Sequence, residues 1–305
     1  MKNLKQVDIK ENILSVVRTE LQWPIESSAL QIITSNIANF VYTFSFNNEK
    51  YFVKFFPDFF KSNNFVAKPD GSFYRESFVY ELTTNTNYAG VPKLVHKSET
   101  SPILITKEWG YASLVETICS YSVQEACDEI MRILVVANKL QNLFHQYDSI
   151  VTAKERVVNF SDLQRKYLIR NPIEHMNLHP SEINEFWKDY LSLNAGLVLG
   201  DLSLKNVLIK GNEVGLCDFE SIFLAPRIFD TCYLIADVLN NLEKTNRQEF
   251  ISEIHNIFYP RLSSEEQKVF FRLLSICISY RNISRLQTKL SNVEDVKEAQ
   301  AIFYM

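Results

Sequence analysis

Between residues 8 and 21 the apolar side chains Ile9, Ile13, Val16 and Val17 recur at helical spacing, which predicts an N-terminal helix. The texture then changes. Over 29–57 three β-branched and aromatic runs follow one another, ALQIITSN, NFVYTFSF and KYFVKFF, with Asn47-Asn48 between the last two as a hairpin turn. Three antiparallel strands are predicted there. A polar, aromatic-rich connection, DFFKSNNFVAKPDGS, leads to FYRESFVYELTT, which is helical by period, and then to the strands PKLVHKS and PILITKE. After Trp109 the helical period takes over, with helices predicted at 123–145, 161–169, 180–193, 229–242, 248–258, 264–280 and 293–303. One interruption, 198–216, places the short apolar runs NVLI and VGLC on either side of Gly211-Asn212 and reads as a second hairpin. The pattern thus predicts an α+β chain: a strand-rich N-terminal part, 1–109, a one-strand connection near 105–110, and a larger helical part, 110–305.

Length supports that division, because 305 residues exceed what one hydrophobic core usually serves. Apolar residues make up 46% and charged residues 22%, the proportions of a globular chain, and no run approaches the ~18 apolar residues of a membrane span. Seven glycines and nine prolines are under half the average share, in keeping with long helices. None of the glycines forms G-x-G-x-x-G or G-x-x-x-x-G-K-[ST], so the usual dinucleotide and P-loop cradles are absent. A formal charge of −4 lacks the basic excess that nucleic acid requires. Five cysteines, widely spaced and without a C-x-x-C pair, point to a reducing compartment. The first seventeen residues scatter charge and hold no apolar block of leader length, so a cytoplasmic location is expected.

The chemistry concentrates in LVLGDLSLKNVLIKGNEVGLCDFESIFLAPRIFDTCYLIADVL. Asp201 is followed at the fifth position by Asn206, then by the hairpin, then by Asp218-Phe219-Glu220. Phosphoryl transfer needs a carboxylate to orient the attacking hydroxyl and accept its proton, and oxygen ligands to hold Mg²⁺ against the phosphates. Asp201 suits the first task; Asn206 and Asp218 suit the second.

GDLSLKNVLI followed by CDFES and IFDTCYLIA resembles the aminoglycoside phosphotransferase / choline kinase superfamily, whose members show HGDLHPGNIL, then IDFE or IDFD, then P-x-x-D-L-A. The resemblance implies a protein-kinase-like two-lobed fold, with a small antiparallel-sheet N-lobe and a larger helical C-lobe. Only twelve residues separate Asp218 from Asp230, too few for the activation segment of a protein kinase. Upstream, Lys54 in YFVKFF stands where the family keeps its phosphate-binding lysine, and Glu76 in FYRESFVYEL where that lysine's partner stands. GVPKLVH and ILITKEWGYASL resemble the family's next two strands, which would bring the backbone of Thr106 and Glu108 to the adenine edge. By the same resemblance Asp230 holds the backbone of the catalytic loop. The ordered match runs from residue 33 to 239.

Three positions depart from the family pattern. Leu199 replaces the usual histidine two before Asp201, the expected nucleotide-covering turn at 34–39 reads TSNIAN without glycine, and Lys205 replaces the common glycine before Asn206. Lys205 at that step suggests a contact with the transferred phosphoryl group or the acceptor. The expectation is an ATP-dependent (GTP possible), Mg²⁺-dependent phosphotransferase acting on a hydroxyl of a small molecule: an aminoglycoside, amino alcohol or sugar-like compound resting on helices within 122–193 and 229–280. Neither a nucleic acid nor a membrane is an expected partner. The alternative is a catalytically silent pseudokinase or nucleotide-binding regulatory protein. His175 and His179, four apart but bracketed by Pro172 and Pro180 and lacking a third ligand, are not read as a metal site.

Overall fold

The computed structural model describes residues 6–35, 40–56, 71–110, 114–146, 165–176, 178–287, 301, 302 and 305. Most of the glycine-free turn at 34–39, the connection at 57–70 and most of the helix predicted at 293–303 lie outside those residues. The chain forms two compact units, one of Met1–Tyr111 with Cys217–Glu220, the other of Ala112–Leu216 with Ser221–Met305.

The first unit is built on an antiparallel five-stranded sheet. Its strands are β1 (Gln31–Ser35), β2 (Phe40–Phe46), β3 (Glu49–Phe55), β4 (Leu94–Lys97) and β5 (Ile103–Lys107), in the order β1-β2-β3-β5-β4. The β2–β3 turn is the predicted Asn-Asn pair. Both residues adopt positive φ, 50° and 62°, as a two-residue hairpin twisting with its strands demands and as asparagine tolerates. Side chains alternate along β3. Tyr51, Val53 and Phe55 point into a core completed by Tyr42, Phe44, Ile103, Ile105 and, from helix α1 (Gln6–Thr19), Ile9, Ile13, Val16 and Val17. The period of two therefore sends Lys54 to the opposite face. Helix α2 (Ser72–Asn85) packs against β4 and β5 and buries Phe73, Glu76 and Tyr80 on one stripe.

The second unit is mainly helical: α3 (Val123–Gln146), α4 (Asn171–His175), α5 (Pro180–Ser192), α6 (Ile228–Asn241), α7 (Arg247–Ile257) and α8 (Ser264–Gln287). Nearly every residue of α6 is buried, and α8 packs along it. Two short antiparallel pairs interrupt the helices, β6 (Ala195–Val198) with β9 (Phe223–Pro226), and β7 (Val207–Lys210) with β8 (Glu213–Leu216). The second is the predicted hairpin, turning at Gly211 with φ +59°. The β6–β9 pair was not expected, since four-residue strands 25 residues apart leave no periodic signal. The helix predicted to stop at Ile169 instead passes through a π-helical turn, Lys166–Arg170, into α4, with Pro172 just after the widened turn, where the regular hydrogen-bond ladder is already interrupted. Helix α8 runs seven residues past the predicted end at 280. Among the described residues no helix is long and apolar enough to cross a membrane.

Candidate active site

Within the first unit, Lys54 is the centre of an acidic cluster. Its Nζ lies 2.6 Å from Glu76 Oε2, 2.5 Å from Asp218 Oδ1 and 3.3 Å from Glu220 Oε2, and 5.0 Å from the centre of the Phe56 ring. Glu76 is brought there by α2 and Lys54 by the outward side of β3. Asp218 takes φ +65°, a left-handed conformation that costs energy in a residue with a Cβ and tends to persist where function requires it. Its segment is anchored on both sides. Phe219 is buried edge-on against Tyr80 at 5.4 Å, and Arg75 Nε donates to the Glu220 carbonyl at 2.6 Å. Burial pushes the Glu76 carboxyl up to about 8; Lys54 opposes that rise, while Asp218 and Glu220 add to it. Lys54 is itself held well above the usual lysine range, because three carboxylates outweigh its own burial.

The second unit holds Asp201 on the loop after β6. Asn206 donates from Nδ2 to the Asp201 carbonyl at 2.9 Å and to Oδ2 at 3.2 Å, and Lys205 Nζ lies 3.0 Å from the same Oδ2. Burial alone would raise the Asp201 carboxyl; Lys205, Arg281 and Ser203 outweigh it and hold the group below the ordinary aspartate value. The loop backbone is fixed from α6. Asp230 accepts the N–H groups of Leu199 at 2.7 Å and Gly200 at 2.9 Å, and also Gln141 Nε2 at 2.6 Å. Leu199, which cannot brace the loop through a side-chain hydrogen bond, does so through its backbone. Asp237, two turns further along α6, accepts the Leu204 N–H at 2.8 Å and is paired with Arg281 of α8. Gly200 has no substitute in this geometry: φ is +78°, and a Cβ would lie 2.2 Å from the Ser221 carbonyl oxygen.

The sequence-predicted residues thus fall into two groups. Lys54, Glu76 and Asp218 meet in one cluster; Asp201 and Asn206 meet in the other. Thr106 is buried on β5 opposite Phe52 and Leu94. Glu108 donates its backbone N–H to the Lys50 carbonyl at 2.9 Å and its carboxylate accepts from Lys50 Nζ at 2.8 Å, so its N–H is already engaged. Lys205 meets Asp201. His179 caps α5 through Ser181 and Glu182. Sequence reasoning missed Glu220 as a Lys54 partner, Gln141, Asp237 and Arg281. For Asp237 a signal was present, an acid in an otherwise apolar helix, where a charge requires a partner.

No family model matches the chain, and no curated protein matches its sequence. Solved structures do match. Amicoumacin kinase hAmiN in complex with AMP-PNP, Ca²⁺ and Ami aligns over 99% of this chain and 95% of its own, at 12% identity and a TM-score of 0.61. The GDP complex of aminoglycoside 2′-phosphotransferase-IIIa aligns over 97% of each chain, at 13% identity and 0.54. An ethanolamine kinase of Plasmodium vivax aligns over 98% of this chain and 87% of its own, at 17% identity and 0.54. At these identities the likeness establishes the fold. The chain has the α+β fold of these small-molecule kinase structures.

Proposed function

We propose that this chain is an ATP-dependent phosphotransferase that moves the γ-phosphate to a hydroxyl of a small molecule. The observation that carries the reading is the Asp201 carboxylate, held ionised by its neighbours and bonded to Asn206 on a loop whose backbone amides are tied to buried acids. Asp201 orients the acceptor hydroxyl and takes its proton. The acceptor oxygen then bonds to the γ-phosphorus as the bond to the β–γ bridging oxygen breaks, and ADP leaves. Lys54, kept in place by Glu76, binds nucleotide phosphates, and the backbone at Thr106 and Glu108 meets the adenine edge, with Glu108 offering its carbonyl.

Asn206 and Asp218 are the Mg²⁺ ligands in this reading. The donor chemistry fits, since Asp218 lies in a group of carboxylates whose oxygens are within 4.8 Å of one another, hard donors of the kind Mg²⁺ takes. The cation would neutralise phosphate charge. GTP in place of ATP fits the same residues. Aminoglycoside, amino alcohol and sugar-like acceptors are the candidate substrates, and the cytoplasm, where five free cysteines stay reduced, is the candidate compartment.

The test is turnover of Mg·ATP and Mg·GTP against a panel of aminoglycosides, amino alcohols, sugars and nucleosides, with Asp201→Asn beside the wild type. Phosphorylated product from the wild type and none from the variant is the expected result. Tight Mg·nucleotide binding with no product from any acceptor would instead favour the silent nucleotide-binding protein.

A further inference from the structure

The catalytic loop is pinned at two points by two carboxylates of one helix. Asp230 holds its entry at Leu199 and Gly200; Asp237 holds its exit at Leu204, the first residue of the 3₁₀ turn that carries Lys205 and Asn206. Seven residues separate the two acids along α6, two turns on one face. Their partners differ. Asp230 is surrounded by neutral donors, whereas Asp237, almost wholly buried, is opposed by a cation, the Arg281 guanidinium. Arg281 is itself steered: Nη1 donates to Tyr233 Oη at 3.3 Å, and its guanidinium carbon lies 5.5 Å from the centre of the Tyr233 ring. Asn241 Nδ2 adds a 3.4 Å contact to the Asp237 oxygen that Arg281 uses, which leaves the other oxygen aimed at Leu204.

We propose that Arg281 of α8 is a positioning residue for phosphoryl transfer: by fixing the Asp237 carboxylate it fixes the turn that presents Asn206 to Asp201. Its role in turnover rests on the function proposed above; its hold on Leu204 does not. A buried carboxylate that has lost its cation turns toward other donors, and that change releases the Leu204 N–H.

Native-state hydrogen exchange on the full chain tests the hold directly. In Arg281→Met the Leu204 amide is expected to exchange about 10- to 100-fold faster, the size of one hydrogen bond to a charged acceptor, while the Leu199 and Gly200 amides, held by Asp230, keep wild-type protection. Arg281→Lys keeps the charge with one donor group, and is expected to fold and to fall between the two. On an acceptor that turns over, kcat should drop by about tenfold or more with nucleotide KM little changed, and Arg281→Lys should recover part of it. Unchanged Leu204 protection in both variants would overturn the proposal, as would equal loss at all three amides. If the wild type transfers no phosphate, the proposed function fails while the exchange result still decides whether Arg281 governs the turn.

Discussion

The Lys54 cluster and the Asp201 loop are both built from buried or half-buried acids, yet they are balanced in opposite ways. Around Lys54 three carboxylates converge on one ammonium, and burial, with Asp218 and Glu220 adding to it, pushes the Glu76 carboxyl up to about 8. Around Asp201 each acid has its donors: Asn206 and Lys205 for Asp201, backbone amides and Gln141 for Asp230, Leu204 and Arg281 for Asp237. The first arrangement gathers carboxylates about a single point. The second gains only from staying as it is, and it supplies a fixed geometry. Phosphoryl transfer, the activity proposed above, calls on both kinds, carboxylates that can hold a metal ion and a rigid loop that aligns the hydroxyl.

The sharpest way to break the comparison is Asp201→Asn. The substitution keeps the shape of the side chain and removes the proton acceptor, so turnover should fall by at least ~10²–10⁴-fold while melting temperature and Mg·nucleotide affinity stay near wild type. Kinetics beside calorimetry check it, and turnover within about threefold of wild type would remove Asp201 from the reaction. Next in size is Asp230→Ala, which strands the N–H groups of Leu199 and Gly200 and the Gln141 amide, at roughly 1–3 kcal/mol for each unpaired donor. It should melt lower and lose activity through the loop. If it melts with the wild type, or if Asp201→Asn is the less stable of the two, the division between a chemical acid and a framework acid is wrong.

Asp218→Ala acts on the other region. It should erase the part of nucleotide affinity that depends on Mg²⁺ and leave the metal-free part, because the Asn206 amide cannot balance a divalent charge. Calorimetric titrations of ATP with and without Mg²⁺ would show this, and an unchanged Mg²⁺ dependence would place the metal elsewhere.

The smallest effect is one of pH. Burial pushes Asp230 up to about 6 against the pull of the Leu199, Gly200 and Gln141 donors. The folded chain then holds more protons than the unfolded chain between about pH 4, where a free aspartate titrates, and 6, so this group makes stability fall as pH rises through that window. Asp201, held below its ordinary value, has the reverse sign: its contribution is present above that value and is lost as pH falls through the folded one. Melting curves of wild type and Asp230→Asn should therefore converge as pH rises from about 4 to 6 and run parallel above it. Parallel curves throughout would mean that Asp230 does not titrate there.

Local pattern made a good part of this molecule legible. The alternation in KYFVKFF showed both the strand and the apolar setting of Lys54, and Asn47-Asn48 and Gly211-Asn212 marked the two hairpins. Asp201, Asn206 and Asp218 stood out because they lie within eighteen residues at spacings that phosphoryl transfer explains. What escaped was non-local or too short. The β6–β9 pair joins four-residue strands, and Arg281 reaches Asp237 from 44 residues away, with nothing around SYRNIS to mark it. The continuation of the helix beyond Ile169 had no local signal either, since Pro172 lies on its path and the ring usually ends a helix.

The constraint at Gly200 reaches into what the chain tolerates as it varies. Of the three glycines whose surroundings are described, Gly196 has ordinary backbone angles and open space, so any small residue should pass there. Gly211 has space but a φ of +59°, so a side chain would cost on the order of 1 kcal/mol and asparagine least. Gly200 has neither freedom, because every alternative places a carbon against the fixed backbone of Ser221. In a library of single substitutions the three sites would be graded by that difference alone. Position 200 would stay empty of replacements although glycine carries no chemical group, as strictly closed to change as the aspartate that follows it.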